Sequence, residues 1–193
     1  SAEAIRARYR QIAAAFAAHD ALICYSVKSN ANLAVLDVLR REGAGFDIVS
    51  EGELFRARQI GVDPARIVFA GTGKSDREIR AALCAGVGLL NVESVSELVT
   101  IDRLACELDR RVAVLLRINP DVDAHTHPHI TTGRHRDKFG IDRATARKIL
   151  ASRDLYRRVD IRGFHVHTGS QVTDVRAFAA APEAGAALVG EAG

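Results

Sequence analysis

The chain is poor in cysteine and has no methionine, even at position 1, which predicts a processed or trimmed start. Its three cysteines, Cys24, Cys84 and Cys106, are widely spaced within apolar patterns, so they offer neither a disulfide framework nor a paired metal knuckle. No apolar run approaches the ~18 residues of a membrane span, and the polar N-terminus lacks a signal peptide's hydrophobic stretch. We therefore expect a cytoplasmic protein with no membrane partner.

Charge of one sign does not accumulate along the chain. The 27 basic and 24 acidic side chains are interspersed and give a formal net charge of +3. The sequence has no long lysine or arginine run and no interleaved aromatics, so we read the basic excess as a solvated surface and predict no nucleic-acid partner. With 193 residues, 48% of them hydrophobic, the chain has enough apolar side chains for one domain with a sizeable core.

Short apolar runs alternate with helical patterns, which is typical of a parallel sheet with crossover helices. The predicted strands are 21–27, 45–50, 66–70, 88–92, 112–119 and 160–167. The predicted helices lie near 3–18, 31–42, 51–60, 75–85, 94–109, 142–152 and 174–190. Apolar residues recur at three- and four-residue steps in the helix at 94–109 and predict one buried stripe of Leu98, Ile101, Leu104 and Leu108. The predicted helix N-caps are Ser50, Ser75 and Asp142.

The strands are mostly continuous apolar runs, as expected when both faces of a sheet are covered. This pattern fits both a doubly wound sheet and a (β/α)8 barrel. We favour the α/β barrel of TIM type because polar side chains follow the strands, where barrel active sites are built. These side chains are Lys28, Asp47, Ser50, Arg117, Asn119, His165 and His167. Six of the eight βα units are present, so we expect 1–193 to be one incomplete barrel domain that lacks the later strands and any second, β-rich domain.

Lys28 closes the apolar stretch 21–27 and is followed by Ser29 and Asn30. A lysine at the C-terminal end of a buried strand can lose its proton more easily and attack a carbonyl carbon, which is the chemistry of a Schiff base. On residue type alone, a lysine that ends a strand and simply reaches water is the commoner explanation.

The segment around this lysine, YSVKSN at 25–30, resembles the pyridoxal-phosphate (PLP) lysine segment of the alanine-racemase-like barrel enzymes, usually Y-A-V-K-A-N. Further blocks follow in a characteristic order: GFDIVSEGEL at 45–54, NVES at 91–94, RINPDV at 117–122, KFGI at 138–141 and HVHTGSQ at 165–171. Together they resemble the diaminopimelate decarboxylases, which are fold-type III PLP enzymes, through nearly all of the chain.

The resemblance implies that PLP is bound covalently through Lys28 and that His167 stacks on its pyridine ring. It implies that Ser170 hydrogen-bonds the phosphate, that Gly169 lets the backbone approach it, and that Asp47 and Arg117 lie near the cofactor. These last two residues fit an Asp–Arg pair at a barrel mouth equally well. The roles of His165 and of Glu53, a candidate for the N-terminal turn of its helix, stay open.

The implied reaction is decarboxylation of meso-diaminopimelate to L-lysine by a homodimer. Several parts of such a site belong to the second half of these enzymes, so we expect this chain alone to be inactive or nearly so. Ser26, Ser29, Glu51 and Thr168 depart from the usual residues and leave the substrate open. The alternatives are a decarboxylase of another basic amino acid or biosynthetic intermediate, a racemase of the same fold, and a non-catalytic PLP-binding protein.

Two further patterns resemble other sites. The segment AGTGKS at 70–75 resembles the end of a Walker A loop, but Val68 stands where that motif needs glycine, and Asp76 stands where a dinucleotide fingerprint needs its third glycine. A tight turn capped by Ser75 explains the same residues.

The histidines His125, His127 and His129 alternate as metal ligands in a strand could. Pro128 indicates a loop instead, and 126–133 resembles a loop of the same family that binds no metal. We predict no metal site, and a functional loop such as a lid.

Overall fold

The computed structural model describes residues 1–119 and 139–167. Helices and strands alternate along these residues. The helices are α1 (Ala2–Ala15), α2 (Leu33–Arg41), α3 (Glu51–Gln59), α4 (Asp76–Ala85), α5 (Val95–Glu107) and α6 (Arg143–Ala151). The strands are β1 (Cys24–Ser26), β2 (Gly45–Ile48), β3 (Ile67–Phe69), β4 (Leu89–Val92), β5 (Val112–Ile118) and β6 (Val159–Val166). Short 3-10 turns occupy Val27–Ser29, Pro64–Arg66 and Arg153–Leu155.

The six strands form one parallel sheet in the order β1-β2-β3-β4-β5-β6, so each strand pairs with the next one in sequence. A doubly wound sheet would reverse its strand order at a switch point, and this sheet does not. Right-handed crossovers that always advance in one direction put the helices on one face, and such a sheet curls into a barrel. The predicted barrel-type fold is confirmed, with six parallel strands and alternating helices, while the helix predicted after β6 lies outside the described residues. Among the described residues no pairing joins β1 to β6, and the barrel is not closed.

The core lies between the sheet and its helices. Along β5 the side chains alternate, with Val112, Val114, Leu116 and Ile118 buried under the helices and Ala113, Leu115 and Arg117 only partly buried on the opposite face. The predicted stripe of α5 packs against this layer: Leu98, Ile101 and Leu104 are completely buried, and Leu108 is partly buried. Each such leucine or isoleucine stabilises the fold by about 1.5–3 kcal/mol relative to an exposed one.

Helix N-caps fix the point at which each chain segment leaves the carboxyl edge of the sheet. Three successive helices begin with the same Ser-x-x-Glu pattern, in which the serine oxygen accepts a hydrogen bond from the backbone N–H of the glutamate. The predicted caps Ser50 and Ser75 are confirmed, and Asp142 caps α6 through the N–H of Thr145 at 2.9 Å. These caps also explain the Walker-like segment: Gly71 and Gly73 adopt positive φ in the turn that leads to Ser75.

The first strand differs most from prediction. It covers Cys24–Ser26 rather than 21–27, and its residues are only half-buried. The reason is that, within 1–119 and 139–167, β1 pairs only with β2, over the three residues opposite Gly45, Phe46 and Asp47. The predicted helix at 174–190 and the histidine loop at 125–129 lie outside the described residues. None of the helices described in 1–119 and 139–167 is long and apolar enough to cross a bilayer.

Candidate active site

The ends of β1 and β2 bring a hydroxyl and a carboxylate together. Ser26 and Asp47 are register partners, and the Ser26 Oγ donates a hydrogen bond to Asp47 Oδ2 at 3.0 Å. Burial raises the pKa of Asp47, while the Ser26 hydrogen bond and the positive charges of Lys28 and His167 oppose that rise. Lys28 follows β1 and His167 follows β6. Residues at the ends of the first and last described strands therefore both affect the Asp47 carboxyl group.

Lys28 lies in the single 3-10 turn that follows β1, rather than at the end of a buried strand as predicted. Its residue is exposed, so the desolvation expected from the sequence is absent in the described part of the protein. The apolar neighbour that is buried is Val27, which anchors the turn in the core. The amine is therefore held by a fixed backbone and remains accessible at the carboxyl edge.

Arg117, near the end of β5, pairs with an acid that follows β4. Its Nη1 donates to both carboxylate oxygens of Glu93, at 2.7 and 2.8 Å. The two side chains are only 15% and 7% exposed, so the pair is largely removed from water. The Arg117 guanidinium also lies 5.7 Å from the ring centroid of Phe139. The Arg117 partner is thus Glu93 rather than Asp47.

The block at 139–141 folds back onto the backbone of Arg117. The N–H of Ile141 donates to the Arg117 carbonyl at 2.7 Å, and the N–H of Asn119 donates to the Ile141 carbonyl at 3.0 Å. Gly140 makes this approach possible: its φ is +102°, and a Cβ there would lie 2.9 Å from the Arg117 oxygen. The sequence blocks that begin at 117 and at 138, both part of the family resemblance, are therefore hydrogen-bonded to each other.

His165 is the register partner of Arg117 and lies beside it on β6. Burial lowers the pKa of His165 to about 4, and the positive charge of Arg117 adds to this effect. The imidazole is therefore neutral near pH 7. Its Nδ1 is buried and has no hydrogen-bond partner among the described residues. A neutral ring with a free polar atom is suited to a ligand, and the sequence had left this residue open.

The other candidates have simpler surroundings. His167 ends the described part of the sixth unit and is exposed, whereas Gly169 and Ser170 lie outside the described residues. Glu53 supports α3: its Oε2 accepts from the N–H of Val49 at 2.8 Å, which agrees with the local role considered for it. Lys74, in the Walker-like segment, forms an ion pair with Glu97 at 2.7 Å.

Glu93 is the residue that the sequence reasoning missed. The block NVES at 91–94 was noted only for its resemblance, and no role was given to its acid. The signal was available, because Glu93 directly follows the end of β4, the kind of position that singled out Lys28, Arg117 and His167. What the sequence could not supply was the partner across the strand ends.

The groups at this edge suit one kind of ligand. An accessible amine, a carboxylate, a guanidinium and two imidazoles, from Lys28, Asp47, Arg117, His165 and His167, match an anionic aldehyde with a heteroaromatic ring, which is the chemistry of PLP. Residues 1–119 and 139–167 contain no group of three or more histidine, cysteine or acidic side chains placed to bind an ion.

Known proteins of the same kind share both sequence and fold with this chain. The diaminopimelate decarboxylase of Pseudomonas aeruginosa is 48% identical over 174 residues, which are 90% of this chain and 42% of that protein. That of Aquifex aeolicus is 40% identical over 183 residues, covering 95% and 43%. The crystal structure of the Helicobacter pylori diaminopimelate decarboxylase complexed with L-lysine superposes with a TM-score of 0.89 at 37% identity, over 99% of this chain and 48% of that one.

The chain thus spans less than half the length of these relatives. Residues 2–192 match the family described as pyridoxal-dependent decarboxylase, pyridoxal binding domain. The chain belongs to the pyridoxal-dependent decarboxylases, as a member of their pyridoxal-binding domain family.

Proposed function

We propose that this chain forms the PLP-binding barrel part of a diaminopimelate decarboxylase, which converts meso-diaminopimelate to L-lysine. The observation that carries the proposal is the position of Lys28, Asp47 and His167 at the carboxyl ends of β1, β2 and β6, the edge at which barrel enzymes build their active sites. The relatives with 40–48% sequence identity carry this activity in their names and support the choice of substrate. The barrel domain of 1–193 is then one part of a longer catalytic unit.

Lys28 would bind PLP covalently through its Nζ, with His167 against the ring and with Ser170 and the Gly169 backbone at the phosphate. When bound, PLP would supply the conjugated system that accepts the electron pair left on the substrate carbon when carbon dioxide departs. The protein's part is to orient the cofactor and the substrate and to hold charged side chains in fixed positions around them. Asp47, held by Ser26, attracts the Lys28 ammonium, and Glu93 holds the Arg117 guanidinium beside His165.

His165 contributes a neutral hydrogen-bonding atom to this arrangement. Its buried Nδ1 lacks a partner among the described residues, and its ring carries no charge at the pH of the cytoplasm. The site therefore gains a polar contact on the Arg117 side without a second positive charge. We propose that this atom hydrogen-bonds the cofactor or the substrate when either is present.

The same proposal includes a homodimer in the cytoplasm. The three cysteines, all within the described residues, are free, which suits a reducing compartment. The crystal structure of a relative with L-lysine bound supports an amino acid as the small-molecule ligand. Light scattering, which measures the molar mass in solution, tests the homodimer.

The test uses the protein at the full length that its gene encodes. After incubation with PLP, reduction by borohydride should leave a stable adduct, and peptide mapping should locate it on Lys28. Incubation with a panel of basic amino acids should release carbon dioxide from meso-diaminopimelate and yield L-lysine. An unlabelled Lys28 defeats the proposal, release from another amino acid changes its substrate, and racemisation without carbon dioxide release replaces the decarboxylase with a racemase.

A further inference from the structure

A second charged pair lies behind Glu93 and Arg117. The Lys74 side chain is only 2% exposed, and its Nζ donates to the carbonyls of Gly71 at 2.8 Å and Asn91 at 2.6 Å and to Glu97 Oε1 at 2.7 Å. An ammonium has three protons, so these acceptors satisfy the group completely. Lys74 is therefore fixed in the interior and has no proton left for a ligand.

Glu97 connects this lysine to the backbone next to the candidate active site. While its Oε1 accepts from Lys74, its Oε2 accepts from the N–H of Glu93 at 2.6 Å. The Glu93 carboxylate in turn accepts both bonds from Arg117. Lys74, on the segment before α4, is thus connected to Arg117 on β5 through Glu97 and Glu93. Every contact in this series is a hydrogen bond, and Glu93 takes part with both its backbone N–H and its carboxylate.

Helix capping alone does not account for the buried lysine. Glu53 occupies the same position in α3 as Glu97 does in α5, and it accepts from the N–H of Val49 in the same way. Glu53 has no ion pair with any residue in 1–119 or 139–167, so the cap forms without a lysine. A buried ion pair seldom repays the desolvation of its two charges. The additional charge that Lys74 brings to Glu97 therefore indicates that the Glu97 carboxylate has to be held in a precise position.

We propose that the buried Lys74–Glu97 pair positions Arg117 for the cofactor. Lys74 fixes the Glu97 carboxylate, Glu97 fixes the peptide of Glu93, and the Glu93 carboxylate holds Arg117 at the carboxyl edge of β5. Lys74 and Glu97 are positioning residues, because neither reaches the open edge itself. This inference rests on the proposed function and deepens it, since it names the support of a residue that the resemblance places near PLP.

Two double variants of the full-length protein isolate the contact that matters. Both Lys74→Met/Glu97→Gln and Lys74→Met/Glu97→Leu remove the two charges, so neither leaves a lone charge in the interior. Glutamine at 97 keeps an oxygen that accepts from the Glu93 N–H, and leucine does not. Ile101→Val is the control for general destabilisation, because it creates a small cavity on the same helix away from the pair.

Titration with PLP well below the melting temperature of every variant gives the affinity. We expect the leucine variant to bind PLP about two- to thirty-fold more weakly than the wild type. The glutamine variant keeps the acceptor for the Glu93 N–H but loses the lysine that fixes it, so its affinity should fall between those of the leucine variant and the wild type. Ile101→Val should stay within about two-fold of the wild type. Crystal structures without cofactor should keep the Glu93–Arg117 contact in the glutamine variant and lose it in the leucine variant.

Equal affinities in the two double variants overturn the inference, as does a glutamine variant that binds PLP as tightly as the wild type. So does weaker binding in proportion to melting temperature across all three variants, because that pattern reflects stability alone. A wild-type protein that binds no PLP fails at an earlier step: it overturns the proposed function, and this inference with it. The two failures are therefore distinguishable.

Discussion

Ser26 and Asp47 face each other across the β1–β2 ladder, and the serine hydroxyl donates to the carboxylate at 3.0 Å. This contact joins the strand before Lys28 to a carboxyl group whose pKa is lowered by the charges of Lys28 and His167 against the larger effect of burial. It explains why a serine is acceptable where the related lysine segment usually has alanine. The hydroxyl lies on the face of the sheet that the helices leave open, and it stabilises the ionised form of Asp47.

Asp47→Asn should stabilise the protein at neutral pH. Burial raises the pKa of Asp47 above its ordinary value of 3.8, so the folded state holds this proton more tightly than the unfolded chain. Stability is therefore lost as pH rises from 3.8 through the folded pKa, and the cost persists at pH 7. The variant removes that cost and keeps an acceptor for Ser26. Urea unfolding at pH 7 should show a higher midpoint.

The gain from Asp47→Asn should shrink as the pH falls toward 3.8 and should vanish well below it, where the wild-type carboxyl is protonated in both states. Because the amide no longer attracts Lys28, we expect weaker PLP binding together with higher stability. A lower unfolding midpoint at pH 7 would contradict this account of the Asp47 environment.

His165 should make the protein sensitive to mild acid. Burial lowers its pKa from 6.5 to about 4 in the folded state, so between these values only the unfolded chain takes up the proton. The stability contributed by the neutral ring is complete above pH 6.5 and is lost as the pH falls toward 4. His165→Asn removes this titration. Relative to the variant, the wild type should lose on the order of 1–2 kcal/mol between pH 7 and pH 4.5. Parallel pH profiles of the two proteins would show that His165 is accessible and ordinary.

Arg117→Met should be strongly destabilising, because it leaves the Glu93 carboxylate buried without its partner. We expect a loss of about 3–5 kcal/mol in the free energy of unfolding. Combining it with Glu93→Gln should restore part of that loss, since the double variant no longer buries a lone charge. Guanidinium denaturation measures both proteins. A double variant less stable than Arg117→Met would show that the pair interacts mainly with other groups.

Gly140→Ala should disturb the site more than an equivalent glycine replacement elsewhere. A Cβ at 140 would lie 2.9 Å from the Arg117 carbonyl oxygen and 3.0 Å from the Asn119 nitrogen, and φ is +102°. Gly43→Ala is the matched control, because its φ is +90° and nothing lies within 4 Å of the added carbon. We expect about 1 kcal/mol of conformational cost at Gly43 and a clearly larger loss at Gly140. Thermal melts of the two variants test this, and equal losses would exclude the backbone clash.

Sequence patterns predicted the alternation of elements well, because the periodicity of buried side chains determines it. The α5 stripe and the caps Ser50, Ser75 and Asp142 are local signals of this kind. The first strand was predicted too long, since an apolar run does not reveal that β1, in the part of the chain that the structure describes, has a hydrogen-bonding partner on one side only.

The site was predicted in part. Lys28, Asp47, Arg117 and His167 were predicted from strand ends and from resemblance, and the charges of Lys28 and His167 both lower the pKa of Asp47 against the effect of burial. The Glu93–Arg117 and Lys74–Glu97 pairs were not predicted, because each joins residues 23 or 24 positions apart through the packing of neighbouring strand ends. Neither pair lies at the spacing of a helix or a strand, so neither can be predicted from secondary-structure propensity or from the hydrophobic pattern.

The strand order has a consequence for how the chain folds as it is made. Ser26 on β1 donates a hydrogen bond to Asp47 on β2, 21 residues later. Each subsequent strand likewise pairs with the strand that precedes it in the sequence. No strand among the described residues waits for a distant partner, so loop closure costs little at each step. A ribosome delivers the units in the order in which they pair, and the sheet grows by addition at one edge as synthesis proceeds.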